Sequence, residues 1–327
     1  MKICVISFDY WHYDQYIVET LSNKGVDAHH INIGALTHAN FKDKAVNAFS
    51  KVFLKKNLKY EKRQNFIIQS LQALGKQDQI LVLNPDSMDI ATLEIVKKYT
   101  DRLITYLYDS VGRFPVEDKL HYFDKVFSFD DVDVEKHGFE KLTNYIYLSH
   151  LPKEKQSPSN DLFYITSYDK KRLGQIGVLN KKLAELKSKN LNFIIVGKKG
   201  WKKILQTKIS PPKKTSVIFR TKRTDPRNMI KSYQNCAAIL ELMREGQNGL
   251  SFRVFEAIAL EKKIITDNEN IKNYDFYNPN NILVLNKEMT NINSDFFQKP
   301  YKALAKEVYN KYTLNQWTER VFQLNTN

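Results

Sequence analysis

The sequence has few cysteines, glycines and prolines, and it has no long apolar run. Its 327 residues include 2 Cys, 11 Gly and 9 Pro. Cys4 and Cys236 stand in apolar, strand-like contexts without zinc or redox spacing, so two buried thiols are expected. No run of about 18 apolar residues occurs, so no membrane-spanning helix is predicted. The opening MKICVISFDY lacks a signal-peptide pattern, which predicts a cytoplasmic protein.

Two nucleotide-binding motifs are also absent from the sequence. The segment SFDYWHYD, which follows the first predicted strand, contains no glycine. It therefore lacks the GxGxxG turn that an NAD-dependent oxidoreductase needs at that place. No GxxxxGK[ST] sequence occurs anywhere, which argues against a P-loop nucleotidase.

Positive charge is in excess, with 51 Lys and Arg against 36 Asp and Glu and a net charge of +15. Such a charge attracts phosphorylated small molecules, nucleic acid or an anionic membrane. The basic residues form neither a tail nor a single basic helix, so no nucleic-acid partner is predicted. Denser clusters at residues 55–63 and 213–227 suit a peripheral position on the anionic inner face of the membrane.

Short β-rich runs alternate with amphipathic stretches in two successive series. This alternation predicts an α/β protein with two Rossmann-like, doubly wound parallel-sheet domains. The expected domains are residues 1–152, with a helical insertion at about 35–76, and residues 153–300, followed by closing helices at 301–327. The predicted strands are residues 2–8, 28–33, 79–83, 103–108, 125–129, 144–148, 162–166, 192–197, 216–219, 237–242, 263–266 and 281–285.

The richest segment is residues 245–260, EGQNGLSFRVFEAIAL, which follows a predicted strand. The N–H groups of a helix start bind anions, and a nearby glycine lets a ligand approach the backbone. An arginine in the first turn can bind a phosphate, and a glutamate three residues later can accept hydrogen bonds from ribose hydroxyls. The alternative is a capped helix with an ion pair. The candidate binding residues are Gly249, Leu250, Ser251, Arg253 and Glu256.

Residues 249–256 (GLSFRVFE), 263–267 (KIITD) and 271–277 (IKNYDFY) resemble bacterial glycosyltransferases of lipopolysaccharide, O-antigen and capsule synthesis, including the CgeB-like group. The resemblance extends to residues 106–133 and 165–172. It implies a GT-B fold and transfer of a sugar from a nucleotide-sugar donor to a glycan or lipid-linked acceptor. It also implies that no cofactor and no bound metal are needed. The C-terminal domain then binds the donor, and the N-terminal domain binds the acceptor.

The sequence departs from the larger retaining group of GT-B enzymes, in which two glutamates are separated by seven residues. Glu245, the nearest earlier glutamate, is separated from Glu256 by ten residues, so the retaining or inverting outcome stays open.

Four further residues are donor-side candidates. Lys171 and Arg172 follow a predicted strand and a short loop, where a basic residue can neutralise a leaving diphosphate; the alternative is a solvated charge pair at a helix start. Gly197 stands where a parallel strand ends and a ligand can lie, or it is a simple turn glycine. Arg220 follows another strand end, where similar enzymes place the base of the nucleotide.

In the first domain, Asp109 and Asp9 each follow a predicted strand, and His12 lies close to Asp9. The carboxyl ends of parallel strands open into the binding crevice, so either aspartate can act as a general base toward an acceptor hydroxyl. His12 is a third candidate proton acceptor. The alternatives are a helix-capping aspartate and a histidine at the surface.

Two rival functions follow from other features. Asp131 and Asp133 form an Asp-x-Asp pair after a predicted strand, which is the metal-binding pattern of GT-A glycosyltransferases. The alternative for these carboxylates is stabilisation of a helix N-terminus. A non-catalytic, two-lobed sugar-binding protein has the same alternation of strands and helices.

Overall fold

The computed structural model describes residues 1–36, 57–151, 153, 158–197, 217–222 and 224–324. The chain divides into two units, of which the first comprises Met1–Thr143 and Leu314–Asn327 and the second comprises Asn144–Thr313. The chain therefore passes from the first unit to the second at Asn144, before the predicted domain boundary at residue 152. The predicted closing segment contributes to both units.

The first unit contains a six-stranded sheet in which every pair of neighbouring strands is parallel. Its strand order is β2-β1-β3-β4-β5-β6. The strand β2 therefore lies on one side of β1, and all later strands are added on the other side. This reversal places a topological switch point between β1 and β3. The strands are β1 Lys2–Ser7, β2 Asp27–Asn32, β3 Gln77–Val82, β4 Thr100–Leu107, β5 Lys125–Ser128 and β6 Glu140–Lys141.

The second unit contains another parallel six-stranded sheet, in the order β12-β11-β10-β7-β8-β9. The switch point here lies between β7 and β10, the two central strands. The two sheets confirm the predicted pair of Rossmann-like domains. The strands are β7 Asn160–Ser167, β8 Asn190–Ile195, β9 Val217–Arg220, β10 Cys236–Glu241, β11 Lys263–Thr266 and β12 Ile282–Val284.

Helices connect these strands, and several begin at an aspartate or asparagine whose side chain accepts a hydrogen bond from a backbone N–H group of the first turn. The described helices of the first unit are α1 Asp14–Asn23, α2 Leu58–Leu74, α3 Ile90–Lys98, α4 Asp131–His137 and, from the end of the chain, α10 Leu314–Phe322. Those described in the second unit are α5 Lys170–Glu185, α6 Pro226–Gln234, α7 Phe252–Ala259, α8 Ser294–Gln298 and α9 Lys306–Lys311. No described helix is long and apolar enough to cross a membrane.

The helix α10 packs into the first unit, although it follows the second unit in the sequence. Its Trp317 ring meets the ring of Tyr106 in β4 edge-on, with centroids 5.1 Å apart. Gln79 Nε2 donates to the carbonyl of Phe322 at 2.8 Å, and Arg102 Nη1 donates to that of Val321 at 3.0 Å. The first unit is therefore built from two separate pieces of chain.

The structure differs from the sequence-based prediction at several places. Residues 144–148 do not form a sheet strand; Ile146 makes one isolated bridge to Thr313. Of the predicted insertion at 35–76, the structure describes α2, while residues 37–56 lie outside the described residues. Parts of the basic clusters at 55–63 and 213–227 also lie outside them. Both cysteines are buried free thiols, as predicted, and burial raises the pKa of each to about 12.

Candidate functional site

The candidate site of the second unit lies at the switch point between β7 and β10. In an open parallel sheet, ligands bind outside the carboxyl ends of the strands at such a point. The loop after β7 is short and leads into α5 at Lys170. The loop after β10 is longer, spans residues 242–251 and leads into α7.

Arg172, in the first turn of α5, is a buried cation. Its side chain is only 5% exposed. Its backbone N–H group donates to the capping carboxylate of Asp169 at 2.9 Å, but its Nε lies 3.9 Å from that carboxylate. Nε and Nη2 have no hydrogen-bond partner among the described residues. A buried donor without an acceptor costs about 1–3 kcal/mol, and more when it is charged. An anionic ligand at this position removes that cost.

A second arginine, Arg244, lies in the loop after β10 and reaches the end of β7. Its Nη2 donates to Ser167 Oγ at 3.1 Å. The pKa of Asp169 is lowered by the hydrogen bond from the Arg172 N–H group, and the charges of Arg172 and Arg244 lower it further. The sequence analysis missed Arg244. Its signal was a basic residue in the loop that follows a strand at the switch point.

The loop after β10 is held by its carbonyl groups. Asn144 Nδ2 donates to the carbonyl of Leu250 at 2.9 Å, and Asn268 Nδ2 donates to that of Asn248 at 3.0 Å. The side chain of Leu250 is 1% exposed, so Leu250 packs in the core. Ser251 occupies the predicted N-cap position of α7 but makes no side-chain capping bond. The N–H groups of this first turn are thus left without a side-chain cap.

Arg253 is enclosed by acidic groups and by a backbone carbonyl. Its Nε donates to the carbonyl of Ile165 at 3.1 Å, beneath the end of β7. Burial by itself lowers the pKa of the guanidinium, but the surrounding groups outweigh burial and the pKa is raised. These groups are Tyr233, Tyr164, Glu241 and Glu256. The charge of Arg253 is therefore balanced from within the protein.

Glu256 faces the interior of the second unit and is 1% exposed. The hydroxyl of Tyr147 donates to its Oε1 at 2.5 Å, and Tyr233 also makes a hydrogen bond to it. Burial and the charge of Glu256 both raise the pKa of Tyr233 well above its usual value. Glu256 is therefore part of the packed interior of the second unit. Its suggested contact with a ribose stays a prediction.

Sequence reasoning also missed Glu241, a buried carboxylate at the last position of β10. It is 3% exposed, and Thr266 Oγ1 donates to its Oε2 at 2.6 Å. Burial raises the pKa of Glu241, while the bond from Thr266 and the charge of Arg253 oppose that rise. A carboxylate at the end of an otherwise apolar strand was the available signal.

The remaining donor-side candidates lie elsewhere on this sheet. Gly197 follows β8 and has a positive φ of 67°, which a glycine adopts without strain. Arg220, at the end of β9, places its guanidinium carbon 3.7 Å from the centre of the Phe193 ring and donates to Thr224 Oγ1 at 3.2 Å. Lys171 is exposed on the first turn of α5. Arg172 and Arg253 both lie near Tyr164, whose pKa is raised by burial against the lowering effect of their charges, whereas Gly197 and Arg220 follow the neighbouring strands β8 and β9.

The candidate residues of the first unit, Asp9, His12 and Asp109, lie in two different loops. Asp9 follows β1 at the switch point, is 6% exposed and lies with Oδ2 3.7 Å from Nδ1 of the exposed His12. The next residue back, Phe8, donates its N–H group to Asn84 Oδ1 at 2.9 Å, which joins the ends of β1 and β3. Asp109, after β4, makes an ion pair with Arg113 on its own loop.

Three neighbouring carboxylates of the first unit, those of Asp130, Asp131 and Asp133, each contact other groups of the protein. Asp131 makes an ion pair with Lys141, and Asp133 accepts the N–H group of Val111 at 2.8 Å. Asp130 caps α4. In the part of the chain that the structure describes, no three His, Cys, Asp or Glu side chains form a metal-binding group. These contacts agree with the interpretation that these carboxylates stabilise the N-terminus of a helix.

Comparison with known families gives one match. Residues 178–318 match the sequence model of a family described as glycosyl transferase-like, which covers less than half of the chain. This family match confirms the prediction of a glycosyltransferase enzyme. No curated protein matches the sequence.

Solved structures share the fold over almost the whole chain. The apo form of the lipopolysaccharide outer core galactosyltransferase WaaB is 13% identical, has a TM-score of 0.51, and each chain covers 99% of the other. An alpha-glucosyltransferase in complex with UDP and a 13-mer DNA is 12% identical, with a TM-score of 0.58 over 98% of this chain and 95% of that chain. The UDP-GlcNAc 2-epimerase from Neisseria meningitidis bound to UDP-GlcNAc is 11% identical, with a TM-score of 0.56 and 99% coverage of both. At these identities the likeness establishes the fold alone.

Proposed function

We propose that this chain is a GT-B glycosyltransferase that takes a nucleoside-diphosphate sugar as donor and a glycan or lipid-linked hydroxyl as acceptor. The family match and the two parallel sheets support the class. Two of the solved structures with this fold contain UDP or a UDP-sugar, which supports the choice of donor. The GLSFRVFE resemblance to the CgeB-like group supports a role in bacterial surface polysaccharide synthesis.

The observation that carries the proposal is the buried Arg172 at the switch point. Its unpartnered Nε and Nη2 form part of a planar fork that matches two oxygens of a phosphate. The side chain already lies in a protein environment, so its orientation needs little rearrangement when a ligand arrives. Buried guanidinium N–H groups without a hydrogen-bond acceptor are costly for stability, and a bound anion supplies that acceptor.

In glycosyl transfer, negative charge grows on the departing diphosphate as its bond to the sugar breaks. Preorganised donors that meet this charge lower the barrier. We assign that role to Arg172, with Arg244 beside it and the uncapped start of α7 as further donors. Arg253, balanced by Glu241 and Glu256, supports this region from beneath the end of β7.

The acceptor side is proposed for the first unit, where Asp9 and His12 lie at the switch point. A base here accepts the proton of the attacking hydroxyl. The net charge of +15 suits an acceptor carried by an anionic membrane surface, where each basic residue is worth about 1 kcal/mol before screening.

The proposed function is tested with a panel of nucleotide sugars and a mixed extract of lipid-linked glycans. We expect release of the nucleoside diphosphate from at least one donor, together with transfer of the labelled sugar into the acceptor fraction. A binding protein retains the donor intact, and an epimerase converts the sugar without releasing the diphosphate. Either of these results contradicts the proposal.

Removal of divalent ions is expected to leave the activity unchanged. The reason is that the buried Arg172 and its neighbour Arg244 supply the positive charge that a metal ion supplies elsewhere. The measurement is the release of nucleoside diphosphate before and after treatment with EDTA. A complete loss that manganese restores contradicts the prediction and favours Asp131 and Asp133 as ligands.

A further inference from the structure

The loop that joins β1 to α1 is closed by two aspartates that bind each other's backbone. The N–H group of Asp14 donates to Asp9 Oδ1 at 3.0 Å, and that of Asp9 donates to Asp14 Oδ2 at 3.2 Å. Asp9 and Asp14 are 6% and 3% exposed. Between them, the loop holds Asp9 at φ 41° and His12 at φ 60°, a conformation that non-glycine residues rarely adopt. These reciprocal hydrogen bonds therefore hold the loop that carries Asp9 and His12.

Hydroxyl groups surround the carboxylate of Asp14 in the described part of the chain. Tyr108, after β4, donates its hydroxyl to Asp14 Oδ1 at 2.8 Å, and Ser7 of β1 also makes a hydrogen bond to Asp14. The Oγ of Ser7 lies 2.9 Å from Nε2 of His30 in β2. Within the described residues, no lysine or arginine pairs with either carboxyl group. The titratable and charged groups that face the pair are His12, Tyr16, His30 and Tyr108.

Burial raises the pKa of Asp14 to about 6, and the charge of Asp9 adds to the rise, while the bonds from Ser7 and Tyr108 oppose it. Burial lowers the pKa of His30, and the charge of Asp9 opposes that. The ionised carboxylate of Asp14 therefore relies on the hydrogen bonds that it accepts from Ser7, Tyr108 and the N–H group of Asp9.

We propose that Asp14 is a positioning residue, which in its ionised form holds Asp9 and His12 for removal of a proton from the acceptor hydroxyl. The inference rests on the proposed glycosyl transfer. In that reaction the acceptor oxygen forms a bond to the anomeric carbon of the sugar. The bond from that carbon to the diphosphate breaks, and its electron pair leaves with the nucleoside diphosphate. The acceptor proton passes to Asp9, directly or through His12, while Asp14 is ionised and holds the loop in place.

The first measurement is a pH titration of the full chain labelled with ¹³C-aspartate, in which NMR monitors the carboxyl groups. We expect one aspartate carboxyl with a midpoint near pH 6. This signal disappears in Asp14→Asn and persists in the control Asp133→Asn, which removes a different buried carboxyl of the same unit. In Tyr108→Phe the midpoint moves upward, because a hydrogen bond to the ionised form is lost. A parent protein without an aspartate midpoint above pH 5 overturns the proposal.

The second measurement is the pH profile of nucleoside diphosphate release, with the donor found in the panel. In the parent, kcat is expected to fall tenfold per pH unit below about pH 6. Asp14→Asn is expected to move this limb by at least one unit, whereas Asp133→Asn leaves its midpoint in place. A limb that stays in place in Asp14→Asn overturns the positioning role. If no donor is turned over, the proposed function fails, and the NMR titration still decides whether Asp14 ionises near pH 6.

Discussion

Arg172→Met is expected to lower kcat by about 100- to 1,000-fold while the melting temperature stays the same or rises. The loss corresponds to that of one preorganised donor to a developing negative charge. The stability of the folded protein is expected not to fall, because the guanidinium is buried with Nε and Nη2 unpartnered. Replacing a buried charge by an apolar side chain of similar volume is often neutral or stabilising. The measurements are steady-state kinetics with the identified donor and a thermal melt.

The control for this variant is Lys171→Ala, one residue earlier on the same helical turn. Lys171 is exposed, so its charge is screened by solvent and its removal is expected to change kcat by less than about threefold. Opposite effects of Arg172→Met on activity and stability distinguish a ligand-binding residue from a structural one. If Arg172→Met retains full activity, or melts well below the parent, the assignment of Arg172 to the diphosphate is wrong.

Glu256→Ala is expected to destabilise the second unit by about 3–5 kcal/mol, the usual cost of removing one partner from a buried charged network. The variant leaves the hydroxyls of Tyr147 and Tyr233 without their acceptor and removes part of the charge that balances Arg253. For a unit of this size, the expected drop in melting temperature is on the order of 10 °C. The measurement is a thermal melt followed by circular dichroism.

Two variants separate burial from the loss of a negative charge. Glu256→Gln keeps an acceptor for one tyrosine and is expected to melt between the parent and Glu256→Ala. Glu245→Ala makes the same change at an exposed position of the neighbouring loop and is expected to melt within about 1 °C of the parent. A Glu256→Ala protein that melts with the parent and has only a raised donor KM favours the ribose contact that the sequence suggested.

The fold was predictable because each buried parallel strand is a short apolar run between polar segments. Runs such as KICVIS and CAAILE are strands in the structure. Residues 144–148 carry the same pattern, yet they form no sheet strand. Their aromatic side chains are buried against α7 instead, where the rings of Tyr145 and Phe252 meet edge-on. An apolar run indicates burial, but it does not show which surface covers it.

The orientation of the site residues was harder to predict. Arg253 and Glu256 stand three residues apart, a spacing that looks the same on a solvated helix face and on a buried one. The structure shows Glu256 held by Tyr147, which lies far away in the sequence. In the same way, whether Nε and Nη2 of Arg172 find a hydrogen-bond acceptor among the described residues depends on segments that are distant in the sequence. Both facts are properties of the packed protein and leave no local trace.

The return of α10 to the first unit has a consequence for the order of events during synthesis. The ribosome completes β1 to β6 early, but Trp317, Val321 and Phe322 emerge only after the 170 residues of Asn144–Thr313. At 5–20 residues per second, this interval lasts roughly 10–30 s. Until then the surface around Tyr106 that Trp317 covers lies open to water or to a chaperone, while the second unit has all of its own strands. The first unit is thus unable to complete its core until the whole of the second unit has been synthesised.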